Sequence, residues 1–155
     1  MQFGQKKKTI ELLEKLRIRN YKSAFMYKIA YTNENRLILK NFYRQLYAQK
    51  ITFIEEIEER IELLKKEISP IPDPKMLSFY NRKKCELSQL YLKYKMKNRF
   101  SDFHRRELKC LKQYTKYLSV INHASVRELL LAHKHKIKSN IVEMNNTGVM
   151  KFPIA

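Results

Sequence analysis

The chain has 155 residues, the size of one domain. With 44% apolar residues and only two glycines it has material for a core but few of the turn residues that a β-rich fold needs. Its 33 bases against 15 acids leave a net charge of +18, which excludes an acidic disordered tail and favours an anionic partner such as nucleic acid or an acidic protein.

The opening residues 1–7 read as a basic arm with no apolar stretch behind it, so a signal peptide is not expected. No run approaches the ~18 apolar residues of a membrane span, and a cytoplasmic location is expected. A helical pattern starts at Thr9, a candidate N-cap with Glu11 in the first turn. Leu13, Leu16, Asn20, Ala24, Tyr27 and Tyr31 follow steps of three and four and share one face. The polar link Thr32-Asn33-Glu34-Asn35 ends the helix.

A second helix is expected from about Asn35 to Ile68. Its inner stripe is Leu39, Tyr43, Leu46, Lys50, Phe53, Ile57, Ile61 and Leu64. Residues 51–67 hold six acids against three bases, and the run Glu55, Glu56, Glu58, Glu59, Glu62 and Glu67 reads as a solvated face. Ser69-Pro-Ile-Pro-Asp-Pro74 stops the helix, because proline lacks the donor that a helix interior needs and extends its predecessor.

A third helix is expected over about 74–97. Residues 75–100 carry eight bases against one acid. Arg82, Lys83, Lys84, Lys93, Lys95, Lys97 and Arg99, with Tyr80, Tyr91 and Tyr94 among them, are the candidate anion or nucleic-acid surface, since aromatics between cations suit stacked bases. The plainer reading, tyrosines at the boundary of a helical core with their hydroxyls in water, is favoured. The fourth helix begins at the cap pair Ser101-Asp102, with Phe103, Glu107, Cys110, Tyr114, Leu118 and Ile121 as its stripe. Asn122 to Ser125 break it, and Ser125 with Glu128 forms a capping box for a fifth helix. That helix carries Val126, Leu130, His133, Ile137, Ile141 and Met144 on one face and runs to about Asn145. Residues 147–155 are then a tail.

The layout is all-α: two antiparallel hairpins joined by a long helical crossover, an up-down arrangement of ferritin-like type, with the bundle over 8–146. A crossover of ~24 residues reaches ~36 Å, enough to carry the chain from one end of such a bundle to the other. The stretch Tyr43-Arg-Gln-Leu46-Tyr-Ala-Gln-Lys50-Ile-Thr-Phe53-Ile-Glu-Glu56-Ile57 resembles the second helix of a bacterial ferritin-like family of unknown function. Val126 to Ile141 is similar to that family's last helix, and Asn20-Tyr21-Lys22-Ser23-Ala24 to a stretch of its first.

The resemblance implies a four-helix bundle, and the departures from it concern the metal. A di-iron bundle draws a Glu from each of two helices and a Glu-x-x-His from each of two others. This sequence has no Glu-x-x-His, and Arg19 and Lys22 stand where the family has acids. No ligand is carried over and no cofactor is expected. Glu56, which matches a family glutamate, and Glu107, His104 and His133 are the weak metal candidates.

Asn20, Lys50, Glu107 and His133 sit on or beside the inner stripes of four helices. A buried charge is costly unless paired. Lys50 with Glu107 or Glu56 could replace a metal cluster, but the favoured reading is a stripe one residue out of phase, with these groups in water. His104 with Glu107, and Glu128 with His135, read as surface pairs, and His133 and His135 point to different sides. Cys85 and Cys110 have no metal-like spacing and read as structural thiols. Phosphate-loop, Gly-x-Ser-x-Gly and zinc patterns are absent, so an enzyme is not expected. The leading expectation is a non-enzymatic bundle with a missing or vestigial metal site, working through its basic surface or through a dimer interface. A nucleic-acid-binding module comes second, and a weak di-metal carboxylate protein third.

Overall fold

The computed structural model describes residues 3–68 and 100–147, and these are helical except for two short links. α1 spans Phe3–Asn33, α2 Leu37–Ile68, α3 Phe100–Leu118 and α4 Ala124–Thr147. The all-α class is what the structure has. The chain divides into two compact units, with α1 and α2 in the first and α3 and α4 in the second. The crossover helix expected over 74–97 lies outside the described residues, as does the tail from residue 148.

In the first unit α1 lies antiparallel to α2. Contacts run in opposite directions along the two helices: Lys6 meets Glu67 at 3.1 Å, Arg17 meets Glu58 at 3.3 Å, and the rings of Tyr31 and Tyr47 lie 5.6 Å apart. The buried face of α2 is Leu39, Tyr43, Leu46, Lys50, Phe53, Ile54, Ile57, Ile61 and Leu64. That is the expected stripe with Ile54 added. Facing residues on α1 include the buried Leu13, Leu16, Asn20, Ala24 and Tyr27, with Tyr31 half-buried.

The expected basic arm is a correction. α1 starts at Phe3, so residues 3–7 are its first turns. Gln and Lys are good helix formers, and the ion pair from Lys6 to Glu67 holds this end against α2. Thr9 is therefore no N-cap. It is buried inside the helix, and its hydroxyl donates to the carbonyl of Gln5 at 2.8 Å.

The link between α1 and α2 is closed by its own polar residues. The amide of Glu34 donates to the carbonyl of Ala30, and the carbonyl of Arg36 accepts from the amide of Lys40. The Glu34 carboxylate accepts from both the backbone amide and the guanidinium of Arg36, at 3.1 and 2.9 Å. Those guanidinium bonds hold the Glu34 carboxyl below its ordinary pKa. Beside them, burial first and the Glu34 charge second push the Tyr43 hydroxyl up to about 12.

In the second unit α3 and α4 form a shorter hairpin. Buried residues on α3 are Phe100, Phe103, Glu107, Cys110, Tyr114, Tyr117 and Leu118. Val126, Leu129, Leu130, His133, Ile137, Asn140, Ile141 and Met144 are buried on α4. Two end signals differ from expectation. Ser101 and Asp102 fall inside the first turn of α3, which begins at Phe100. The N-cap of α4 is His123 and not Ser125: its carbonyl accepts from the amide of Arg127 at 2.9 Å, and its Nδ1 accepts from the amide of Val126 at 3.4 Å. The Arg127 guanidinium then turns back and donates to the carbonyls of Leu118 and Ile121, the second at 2.8 Å. One side chain in the first turn of α4 thus satisfies carbonyls that the end of α3 leaves without helical partners.

Candidate functional site

Asn20, Lys50, Glu107 and His133 are all at most 2% exposed, so the solvent-facing reading of these four gives way to burial. The stripes are in phase, and the polar residues belong to them. In the first unit, the Asn20 Nδ2 donates to the carbonyl of Leu16 at 2.9 Å, one helical turn back. Lys50 is fully buried, with its Nζ 5.3 Å from the centroid of the Phe53 ring, three residues on. The ring's negative face attracts the ammonium and offsets part of its lost hydration. Glu56 is half-buried on the same helix.

A second buried cation lies outside the four polar positions that the stripes mark. Arg17 is 5% exposed, and its guanidinium reaches Glu14 at 3.1 Å and Glu58 at 3.3 Å. Glu14 also lies 3.7 Å from Lys65. Two bases and two acids thus form one network from α1 to α2. The acidic run of α2 is therefore only partly a solvated face, because Glu58 and Glu67 bind bases of α1. An i,i+3 pair such as Glu14–Arg17 is visible in sequence, but the reach of Arg17 to Glu58 across 41 positions is not.

In the second unit, the Tyr114 hydroxyl and His133 Nδ1 lie 2.9 Å apart, with the ring centroids at 5.7 Å. Both groups are buried, Tyr114 completely. Either the hydroxyl donates to an unprotonated Nδ1 or an Nδ1–H donates to the phenol oxygen. Both arrangements tie α3 to α4 through a polar bond inside an apolar face. Cys110 is a buried free thiol one turn from Tyr114, as its place on the stripe implied. Cys85 lies outside the described residues.

The weak metal candidates are spread over both units: Glu56 on α2, His104 and Glu107 on α3, and His133 on α4. His104 is half-buried, and its Nε2 has no hydrogen-bond partner among the described residues. Glu128 and His135 are both exposed on α4, and His135 points away from the buried His133. Among the described residues, no three His, Cys, Asp or Glu side chains stand close enough to hold a metal ion.

The candidate anion surface of Arg82, Lys83, Lys84, Lys93, Lys95, Lys97 and Arg99 lies outside the described residues. A different basic face is described. On α3, Arg105, Lys109, Lys112 and Lys116 are all exposed at steps of four, three and four, so they form one line opposite the buried stripe. This line is legible in the sequence as the complement of the apolar stripe, although the run before it is denser in bases. Among the described residues, no helix is long and apolar enough to cross a membrane.

Comparison with protein-family models, with curated proteins and with solved structures finds no match.

Proposed function

We propose that the chain is a non-enzymatic helical bundle of ferritin-like type, cytoplasmic, with its di-metal site missing or vestigial, and that it acts through its basic surface. The observation that carries this reading is Lys50. A di-iron bundle needs inward carboxylates to offset the metal charge. Here the stripe that resembles a ferritin-like second helix holds a fully buried lysine. A buried lysine supplies no carboxylate toward that balance, and Arg19 and Lys22 stand where the resembled family has acids. The hairpin, connector, hairpin order along the chain supports the same assignment.

Aerobic oxidation of ferrous iron tests the non-enzymatic part. The expected rate with protein equals the buffer rate. A saturable acceleration at stoichiometric iron, lost in Glu56→Gln, would replace this reading with the di-metal one.

Self-association is the second reading, favoured by Leu37 and Ile38. These neighbours at the start of α2 are 69% and 72% exposed and place two adjacent apolar side chains in water. Light scattering of the wild type and of Leu37→Lys/Ile38→Lys distinguishes a dimer from a monomer. An unchanged monomer mass in both removes this reading.

A further inference from the structure

We propose that the outer face of α3, the line Arg105, Lys109, Lys112 and Lys116, docks the phosphodiester backbone of duplex nucleic acid without reading its sequence. The inference rests on the basic-surface reading above and names its site and partner.

The charges on this face form an unbroken cationic line, because neither acid of α3, Asp102 or Glu107, is at an exposed position. In the first unit Lys6, Lys8 and Lys65 meet Glu67, Glu11 and Glu14, while Lys7, Lys15, Lys22 and Lys28 are exposed on a helix that also exposes Glu11. On α3, Arg105 lies 3.6 Å from Asp102, but Lys109, Lys112 and Lys116 have no carboxylate within ion-pair distance among the described residues. Like charges three and four apart destabilise a helix by ~0.2–0.5 kcal/mol per pair. A face needed only for solubility gains nothing from that repulsion, and α2 shows the mixed alternative with exposed Glu62, Lys66 and Glu67. A polyanion removes the repulsion.

Geometry selects the kind of polyanion. From residue 105 to 116 the line runs about 16 Å along a straight helix, which is the length of about five phosphates on one strand of a duplex. No aromatic ring is exposed on α3, since Phe100, Phe103, Tyr114 and Tyr117 are all buried. The stacking platform that single strands require is missing from this face. An anionic membrane is disfavoured because an interfacial helix must insert an apolar side, and that side of α3 is already buried within the protein.

The test is fluorescence anisotropy of the full chain with a labelled 20-base-pair duplex of arbitrary sequence, titrated across salt. Four phosphate contacts from α3 contribute about −3.6 to the slope of log affinity against log salt. Lys109→Gln/Lys112→Gln is expected to flatten the measured slope by about 1.8, and Lys109→Arg/Lys112→Arg to keep it. Circular dichroism of both variants verifies the fold, which exposed substitutions leave intact. A slope unchanged by the Gln pair overturns the site and leaves the wider basic-surface reading standing. No duplex binding at low salt overturns the proposal, and so does a Gln-pair loss seen with phosphatidylserine vesicles or an acidic peptide but not with duplex. Stoichiometric iron with the slope change intact would sink the metal-free reading and leave this proposal in place.

Discussion

Arg127 gives the sharpest energetic prediction. Its guanidinium spans the α3–α4 link and donates to the carbonyls of Leu118 and Ile121. Arg127→Met keeps the apolar stem and removes both bonds. A hydrogen bond from a charged donor contributes about 1.5–3 kcal/mol. Both bonds here leave one nitrogen of a half-buried side chain, and water can replace part of what is lost. The joint effect is therefore taken as about 2 kcal/mol, within the range for one such bond and below the sum for two. Arg127→Lys retains a positive charge beside the C-terminus of α3, worth about 0.3–1 kcal/mol, but its shorter stem ends before the point where the guanidinium Nη1 meets both carbonyls. Urea denaturation should place Lys between wild type and Met. Hydrogen exchange should localise the change to amides of 115–127. At about 2–4 °C per kcal/mol for a chain of this length, the Met variant should melt about 4–8 °C lower. A loss under about 0.5 kcal/mol, or Lys equal to wild type, would refute the idea that this side chain closes the link by hydrogen bonding.

Three further predictions follow from the buried and titrating groups. Tyr114→Phe removes the bond to His133 Nδ1 inside the second unit and should cost about 1–3 kcal/mol in urea; no loss would mean that water or another group serves the ring equally well. Glu34 has a depressed folded pKa, so its contribution is present above its ordinary 4.5 and is lost as pH falls through the lower folded value. The stability gap between wild type and Glu34→Gln should therefore be widest at neutral pH and close in acid, and a gap independent of pH contradicts it. Tyr43 has a folded pKa raised from 10.0 to about 12, so its contribution is complete below 10 and declines as pH rises toward 12. In an absorbance titration Tyr43→Phe should remove a tyrosine that ionises near 12, and an unchanged high-pH limb would show that Tyr43 does not ionise there.

The parts of the fold legible in the sequence were those set by periodicity. Eight expected inner positions of α2, from Leu39 to Leu64, are all buried, because a long helix with steady steps of three and four has only one apolar face to hide. The same rule put Lys50 and His133 inside, and the doubt about them came from the cost of burying polar groups, which no periodicity measures. Helix ends were less legible. Lysines at 6–8 look like a solvated arm until Glu67 is placed beside them. Thr9 and Ser125 have the composition of caps, yet the cap of α4 is His123, whose ring nitrogen does the same work as a hydroxyl. Contacts between residues far apart in sequence, such as Arg17 with Glu58, became visible only once α1 and α2 were paired.

The proposed reading is a bundle without a di-metal site, with Lys50 buried on the inner stripe of α2. Metal analysis tests it most directly: protein purified without chelator and dialysed against ferrous iron under anaerobic conditions, with iron, manganese and zinc counted per chain. The account predicts substoichiometric metal, unchanged in Lys50→Met and in Glu56→Gln. Two tightly held irons per chain, reduced by Glu56→Gln, would contradict it.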